Sequence, residues 1–325
     1  MKGLILGAGN GTRLEPFSLK KPKVLLPVTN KPIVHYCIEK LVQLGIQEIG
    51  IVIKPAFRQM FMEQVGTGDR WGVCIHYVEQ RYPKGIADAV KHAADFIEKD
   101  SFMLLLGDNM IEHSLAQLKD AIDFHHYDAS ILLGEVSNPH EYGIAEVERN
   151  RIISLEEKPR QPKSNLAVLG AYAFSSRVFE AVNEIVPSER GEYEIIDALK
   201  WLVNKGYPLT YEVTYQMHTD VGRPDRWLQA NQWVLDRLYR IEGRNEFLDS
   251  RGNRIIVPVV IDESAVLNNC TIGPHASIGA HVCLDRCIVR DSIITENVVR
   301  EDSLIENAII GSEYMPYLKQ TEALS

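Results

Sequence analysis

The chain has 325 residues, enough at roughly 150 per domain for about two domains. Hydrophobic residues make up 45% and charged residues 24%, a globular balance that excludes a disordered or collagen-like chain. With 35 Lys plus Arg against 44 Asp plus Glu, the net charge of −9 speaks against binding nucleic acid, which needs a basic footprint, yet leaves room for a local basic site.

Along the chain, short β-rich runs alternate with helical patterns. Lys2–Leu6, Ile49–Ile53, Cys74–Val78, Phe102–Leu106 and Ser130–Leu133 read as strands. Pro32–Leu44, Ile86–Glu98 and Leu115–His126 carry apolar residues at 3.6 spacing and read as the helices between them. Such alternation predicts a mostly parallel α/β sheet covered on both faces, with ligands at the carboxyl ends of its strands. After Gly143 the pattern turns strand-rich (Ile144–Val147, Ile152–Leu155, Val168–Phe174), an insertion that extends the sheet. Pro224–Ile241 reads as one long amphipathic helix with Trp227, Ala230, Val234 and Leu238 near one face.

From about Ile255 the character changes. Aliphatic residues recur at Ile261, Leu267, Ile272, Ile278 and Leu284, and Ile-Gly pairs repeat at 272, 278 and 310. A hexapeptide period predicts a parallel β-helix, with about eighteen residues per coil and about three coils. The expected organisation is residues 1–240 as a catalytic domain, 241–254 as a linker and 255–325 as the tail.

The opening MKGLILGAGNGTRLEP lacks the long apolar run of a secretory signal. No window of about 18 apolar residues could span a membrane. Five cysteines without a CxxC pair fit a reduced, cytoplasmic protein. The ten histidines show no zinc spacing, and the CxxxC of Cys283 and Cys287 has no second pair nearby.

The strongest chemical signal is Leu6-Gly7-Ala8-Gly9-Asn10-Gly11-Thr12-Arg13 directly after the first strand. Its glycines let backbone N–H groups approach phosphate oxygens closely. It lacks the Gly-Lys-Ser/Thr of a P-loop, and Thr12 breaks a dinucleotide fingerprint. The segment downstream of the loop is distinctive: it contains Pro22-Lys23-Val24-Leu25-Leu26-Pro27, and the net side-chain charge from Arg13 to Lys23 is +3.

Here the sequence resembles the sugar-phosphate nucleotidyltransferases, which share a G-x-G-T-R loop followed by P-K-x-L-L-P. Gln80, Pro83, Gly85 and Ala87 look like that family's base-contacting loop, and Leu106-Gly107-Asp108-Asn109 like its metal-binding strand end. Tyr142-Gly143, Glu156-Glu157-Lys158-Pro159, Gly170 and Arg190-Gly191-Glu192 look like its sugar-phosphate side, and Asp220-x-Gly222 like its second metal carboxylate. The subgroup most resembled is the glucose-1-phosphate thymidylyltransferases of the long form, with an appended left-handed β-helix.

The resemblance implies a Rossmann-like sheet of the nucleotide-diphospho-sugar transferase type, Mg²⁺ as cofactor and a homo-oligomer. It implies that Arg13, Lys23 and Asp108 are catalytic, and that residues 6–13 with Gln80, Pro83, Gly85 and Asp108 bind a nucleoside triphosphate, dTTP or UTP. Asn109, Tyr142, Gly143, Glu157, Lys158, Gly170 and Arg190 would bind a sugar 1-phosphate, glucose or N-acetylglucosamine 1-phosphate. Asp108 and Asp220 would hold the metal, which takes few protein carboxylates and fills its shell with phosphates and water. Lys20 and Lys21 read as solvated charges that steer substrate. Two departures stand out: Ala8 where thymidylyltransferases commonly have Gly, and His218 where Trp is common. Two rival readings are a non-catalytic nucleotide-sensing subunit, and a bifunctional enzyme whose tail, with His275 and His281, transfers acetyl groups.

Overall fold

A computed structural model describes residues 1–149, 151–239, 246–249, 251–312 and 317–318. By its internal contacts the chain forms two compact units: residues 1–10 with 34–218, and residues 11–33 with 219–325. Residues 241–245 and 250 of the predicted linker, Arg240 and Ile241 of the predicted long helix, and 313–316 and 319–325 of the tail lie outside the described residues.

The first unit is built on four parallel strands, three with apolar runs covered on both faces and an edge strand, Cys74–Glu79, that buries only Ile75. They are β1 (Lys2–Leu6), β2 (Glu48–Ile53), β3 (Cys74–Glu79) and β4 (Phe102–Leu106), with α1 (Ile33–Gln43) leading from β1 to β2 and α2 (Ile86–His92) leading from β3 to β4. The helix α1 buries Val34, Cys37, Ile38 and Leu41, a helical period. It stops at Gly45 (φ 74°), where the N–H groups of Gly45 and Ile46 return to the carbonyls of Val42 and Leu41 in a Schellman motif. The predicted helix 86–98 is broken at Ala93 (φ −86°, ψ 3°), so only a short helical piece, Ala94–Ile97, follows α2. The next helix, α3 (Ala116–Asp123), ends three residues before His126, which has φ +55°.

Beyond it come β5 (Ala129–Glu135), β6 (Gly143–Glu148), β7 (Arg151–Glu157), β8 (Leu166–Phe174), α4 (Ile195–Asn204) and β9 (Leu209–Thr214). The nine strands form one sheet in the order β7-β6-β8-β4-β1-β2-β3, with β5 also on β8 and β9 on β5. The pairings β4-β1, β1-β2 and β2-β3 are parallel, as the alternating pattern predicts, whereas β8 runs antiparallel to β4, β5 and β6. The parallel set places the carboxyl ends of β1, β2, β3 and β4 on one edge. Three backbone bonds tie that edge: Gly7 N to Val52 O, Gln80 N to Ile53 O and Gly107 N to Leu6 O, at 2.8 to 3.0 Å.

The second unit contains α5 (Pro224–Leu238) and the tail of short strands from Arg254 onward. The tail's strands form three separate sides of parallel strands stacked coil upon coil, two of which end in an antiparallel strand, Glu246–Leu248 against Arg254–Ile256 and Tyr317–Leu318 against Ala308–Ile310. Coils advance by 17 residues (Val259↔Ala276, Val266↔Cys283) and then by 16 (Ala276↔Ser292, Cys283↔Val299), not by the eighteen of an ideal repeat. The corners are tight because single residues take φ of 46–59°: Asn269, Arg286 and Asp302 at one, His275, Asp291 and Asn307 at another, His281 and Asn297 at the third. Asn, Asp and His tolerate that region best, and five of these eight are Asn or Asp. His275 and His281 are therefore corner residues.

Inside the coils lie Ile255, Leu267, Ile272, Ile278, Leu284, Val289, Ile294 and Ile310. One outward column is buried too. Ser277, Ile293 and Ile309 stand in register at 0–1% exposure, because α5 packs against the strands that carry Ile293 and Ile309. Burying two Ile side chains that a bare coil would expose stabilises this docking by about 3–6 kcal/mol.

Candidate active site

In the first unit, the carboxyl edge collects side chains from four strands. After β1, Gly7 to Asn10 open the glycine loop. Ala8 is 4% exposed and gives its side chain to the core, so only its backbone is available to a nucleotide. After β2, Lys54 donates from Nζ to Asn10 Oδ1 at 2.6 Å, and partial burial pulls its pKa down. That contact was not legible in the sequence, where Lys54 is one more surface lysine.

After β3, Gln80 is 1% exposed and donates from Nε2 to Asp88 Oδ2 at 2.5 Å. Asp88, in the first turn of α2, therefore fixes which way the Gln80 amide faces. Pro83 and Gly85 lie in the loop between them, whose backbone is tied to Tyr193 by Tyr193 N to Lys84 O (2.7 Å) and Ala87 N to Tyr193 O (3.1 Å).

After β4, Asp108 is 8% exposed. The adjacent carboxamide of Asn109 satisfies both its ends when its nitrogen faces Asp108 Oδ1 at 3.1 Å and its oxygen accepts from Gly170 N–H at 3.0 Å. Gly170 leaves the room: a Cβ there would stand 2.2 Å from the Asn109 amide. Asn109, predicted to bind sugar phosphate, thus also orients a candidate metal ligand. Below this turn lies the Cys37 thiol, whose pKa is pushed up to about 12 by burial and by the Asp108 charge.

The predicted sugar-phosphate residues of β6, β7 and the Arg190 loop form one cluster. Gly143 pairs with Glu157, and Lys158 N donates to Tyr142 O at 2.9 Å with Lys158 at φ +45°. Arg190 donates to Glu157 Oε1 at 3.2 Å and to Glu192 Oε2 at 2.8 Å, and lies 3.5 Å from Glu194 Oε1. Burial raises the Glu157 pKa, and Glu194 raises it further, against the opposing pull of Lys158 and Arg190. Glu194, 5% exposed and bonded by Ser188 Oγ at 2.9 Å, was not singled out in the sequence. His218, the unusual residue, has Nδ1 3.1 Å from Gln216 O and its ring against Gly134.

In the second unit, Gly11 takes the left-handed conformation (φ 66°) and its carbonyl accepts from Ser18 Oγ at 2.7 Å. That turn starts the short helical stretch Thr12–Leu14, and a second one, Lys23–Leu25, begins at Lys23. The Arg13 guanidinium comes to the Asp220–Gly222 turn: a Cβ on Gly222 would stand 2.7 Å from Asp220 Oδ2 and 2.9 Å from Arg13 Nη2. Arg226, in the first turn of α5, donates to Asp220 Oδ1. Lys21 does not behave as a solvated charge; its Nζ meets Glu296 Oε1 of the tail at 3.1 Å. Burial pushes the Glu296 pKa up, but the Lys21 charge together with backbone and side-chain hydrogen bonds holds the carboxyl below its ordinary value.

Among the described residues no three His, Cys, Asp or Glu side chains converge as a metal cage. This donor set suits Mg²⁺, which binds one or two carboxylates and completes its shell with substrate phosphates and water. In the first unit, a buried Asp108 beside a neutral amide fits that demand.

A glycine loop and a buried strand-end carboxylate at the carboxyl edge of a mostly parallel sheet define a nucleotide-handling α/β enzyme. The chain matches the nucleotidyl transferase family over residues 2–237 and belongs to it. The low-salt glycan biosynthesis nucleotidyltransferase Agl11 of Haloferax volcanii is 35% identical, covering 96% of this chain and 92% of its own. A glucose-1-phosphate thymidylyltransferase of Streptomyces griseus is 34% identical over 92% of this chain and 87% of that one. A Bacillus anthracis crystal structure assigned to a glucose-1-phosphate thymidylyltransferase, in complex with sucrose, superposes with a TM-score of 0.69 at 34% identity, over 75% of this chain and 98% of that one.

Proposed function

We propose that the protein is a Mg²⁺-dependent glucose-1-phosphate thymidylyltransferase, with residues 1–240 carrying the chemistry. A phosphate oxygen of glucose 1-phosphate attacks the α-phosphorus of dTTP in line; the bond to the β-phosphate breaks, and dTDP-glucose and pyrophosphate result. The observation that carries this reading is the likeness to thymidylyltransferases along nearly the whole chain, tail included.

Each residue has a task in it. Transfer at phosphorus asks for positioning and charge stabilisation, with no covalent nucleophile needed. The backbone of residues 6–12 receives triphosphate oxygens, while Arg13 and Lys23 neutralise them as charge shifts to the leaving pyrophosphate. Gln80, its amide set by Asp88, meets the edge of the pyrimidine, with Pro83 and Gly85 against the base. Lys158 and Arg190 meet the sugar phosphate, Glu157 accepts from sugar hydroxyls, and Tyr142, Gly143, Asn109 and Gly170 shape that side. Asp108 and Asp220 would hold Mg²⁺, which when bound neutralises phosphate charge. Cytoplasmic residence and a homo-oligomer belong to the same reading; light scattering of the purified protein tests the second.

The test is a matrix of four triphosphates against glucose, galactose and N-acetylglucosamine 1-phosphates, read as pyrophosphate release with Mg²⁺. Turnover is expected to be fastest with dTTP and glucose 1-phosphate. A UTP or N-acetylglucosamine 1-phosphate maximum corrects the substrate, and no turnover with any pair makes the protein a nucleotide sensor. Acetyl-CoA consumption by the intact chain is expected to be nil.

A further inference from the structure

The segment that carries Arg13 and Lys23 is fastened to the tail. It ends in a tight hairpin, Pro27–Val28 against Lys31–Pro32, whose two turn residues, Thr29 and Asn30, have φ of 49° and 60°. A β-branched residue in that region is uncommon, so something outside the turn must hold it. The holder is Asn231 of α5, which is 1% exposed. Its Oδ1 accepts from Thr29 N–H at 2.9 Å and from Ser277 Oγ of the tail at 2.8 Å. Asn30 reaches past it and donates from Nδ2 to Ile278 O at 2.7 Å.

Three further contacts run the same way. Trp227 Nε1 donates to Pro27 O at 2.6 Å, Phe17 packs edge-on to Trp227 with centroids 5.4 Å apart, and Lys21 pairs with Glu296. Ser277 points away from the coil interior, yet it is fully buried at this junction.

We propose that the hexapeptide tail is a positioning element for the nucleotide, acting through Ser277, Asn231 and Ile278 on the Thr29–Asn30 turn. None of these residues touches substrate. They set where the base of the hairpin, with Lys23, and the preceding loop, with Arg13, stand. This role rests on the nucleotidyl-transfer reading. It assigns the tail to triphosphate affinity in addition to any part in assembly.

The full-length protein tests it with Ser277→Ala, which removes one hydroxyl, and Asn30→Gly, which removes the side-chain bond while suiting the left-handed backbone. Each is expected to raise the KM for Mg·dTTP about tenfold, the scale of a sub-ångström misplacement, while the KM for glucose 1-phosphate stays within about twofold. Ser277→Thr, which keeps the hydroxyl, is expected to restore it. Amide hydrogen exchange across residues 11–33 is expected to quicken in both variants, with β4 unchanged. Unaltered exchange there, or an equal rise in both KM values, overturns the proposal. A wild-type protein that turns over no nucleotide–sugar pair sinks the enzymatic reading instead, and hydrogen exchange still reads whether the tail holds the segment.

Discussion

Arg190 donates from Nη1 to Glu157 Oε1 at 3.2 Å, and its other nitrogen faces Glu192 and Glu194. One guanidinium thereby holds three carboxylates at the proposed sugar-phosphate side. Replacing it by Gln should raise the KM for sugar 1-phosphate about tenfold or more, with the nucleotide KM little changed. Stability should fall by about 1–2 kcal/mol, less than for a fully buried pair because Arg190 is 38% exposed. Steady-state kinetics and thermal melts check the two parts separately.

Glu157 gives a pH signature. Its folded pKa is raised by burial first and by Glu194 second, so the folded state holds the proton more tightly than the unfolded chain. The group's contribution to stability therefore falls as pH rises from the ordinary value of 4.5 through the raised one. A Glu157→Gln variant cannot titrate. Its melting temperature relative to wild type should climb across that window, and a constant difference would refute the assignment.

Asn109 and Asp108 separate orientation from ligation. Asn109→Ala should cost about 10–100-fold in kcat, as loss of an outer partner of a metal ligand does, with the Mg²⁺ requirement shifted to higher concentration. Asp108→Asn should lose metal-stimulated turnover altogether while circular dichroism stays native. Equal modest losses in both would remove Asp108 from the metal.

Gly222→Ala places a methyl against Asp220 Oδ2 and Arg13 Nη2. Both are ends of flexible side chains, so stability should change by no more than about 1 kcal/mol. Turnover should nevertheless fall about 100-fold, because the groups that move are the proposed catalytic ones. A calorimetric melt beside an activity assay decides it.

Thiol reactivity should follow burial. Cys37, Cys270 and Cys287 are buried, Cys74 and Cys283 exposed, and the Cys37 thiol is pushed up to about 12. Iodoacetamide at pH 7.5 on the native protein should label Cys74 and Cys283, read by peptide mass spectrometry. Label at Cys37 before unfolding would contradict the packing beneath Asp108.

Much of the parallel part of the sheet was legible because its strands are buried on both faces and read as plain apolar runs; Lys2–Leu6 and Phe102–Leu106 match residue for residue. The coil corners were not, since a left-handed residue leaves no mark on hydrophobic spacing, and the repeat came out 16 to 17 residues long. Motif residues such as Gln80, Asp108 and Arg190 stood out by order and type. The partners of Gln80, Asp220 and Arg190, which are Asp88, Arg226 and Glu194, did not, because each is an ordinary charged residue until folding brings it to an amide, carboxylate or guanidinium.

What the sequence by itself determined is the chemistry on offer: a glycine loop, a basic segment in an acidic chain, carboxylates at strand ends, and a six-residue period. Local spacing and residue type suffice for those. Only the tertiary structure decided which charged and polar groups meet one another. Lys21 is committed to Glu296, and Asn231 joins residues 29 and 277, because hydrogen bonds depend on distances in space that separation along the chain does not encode.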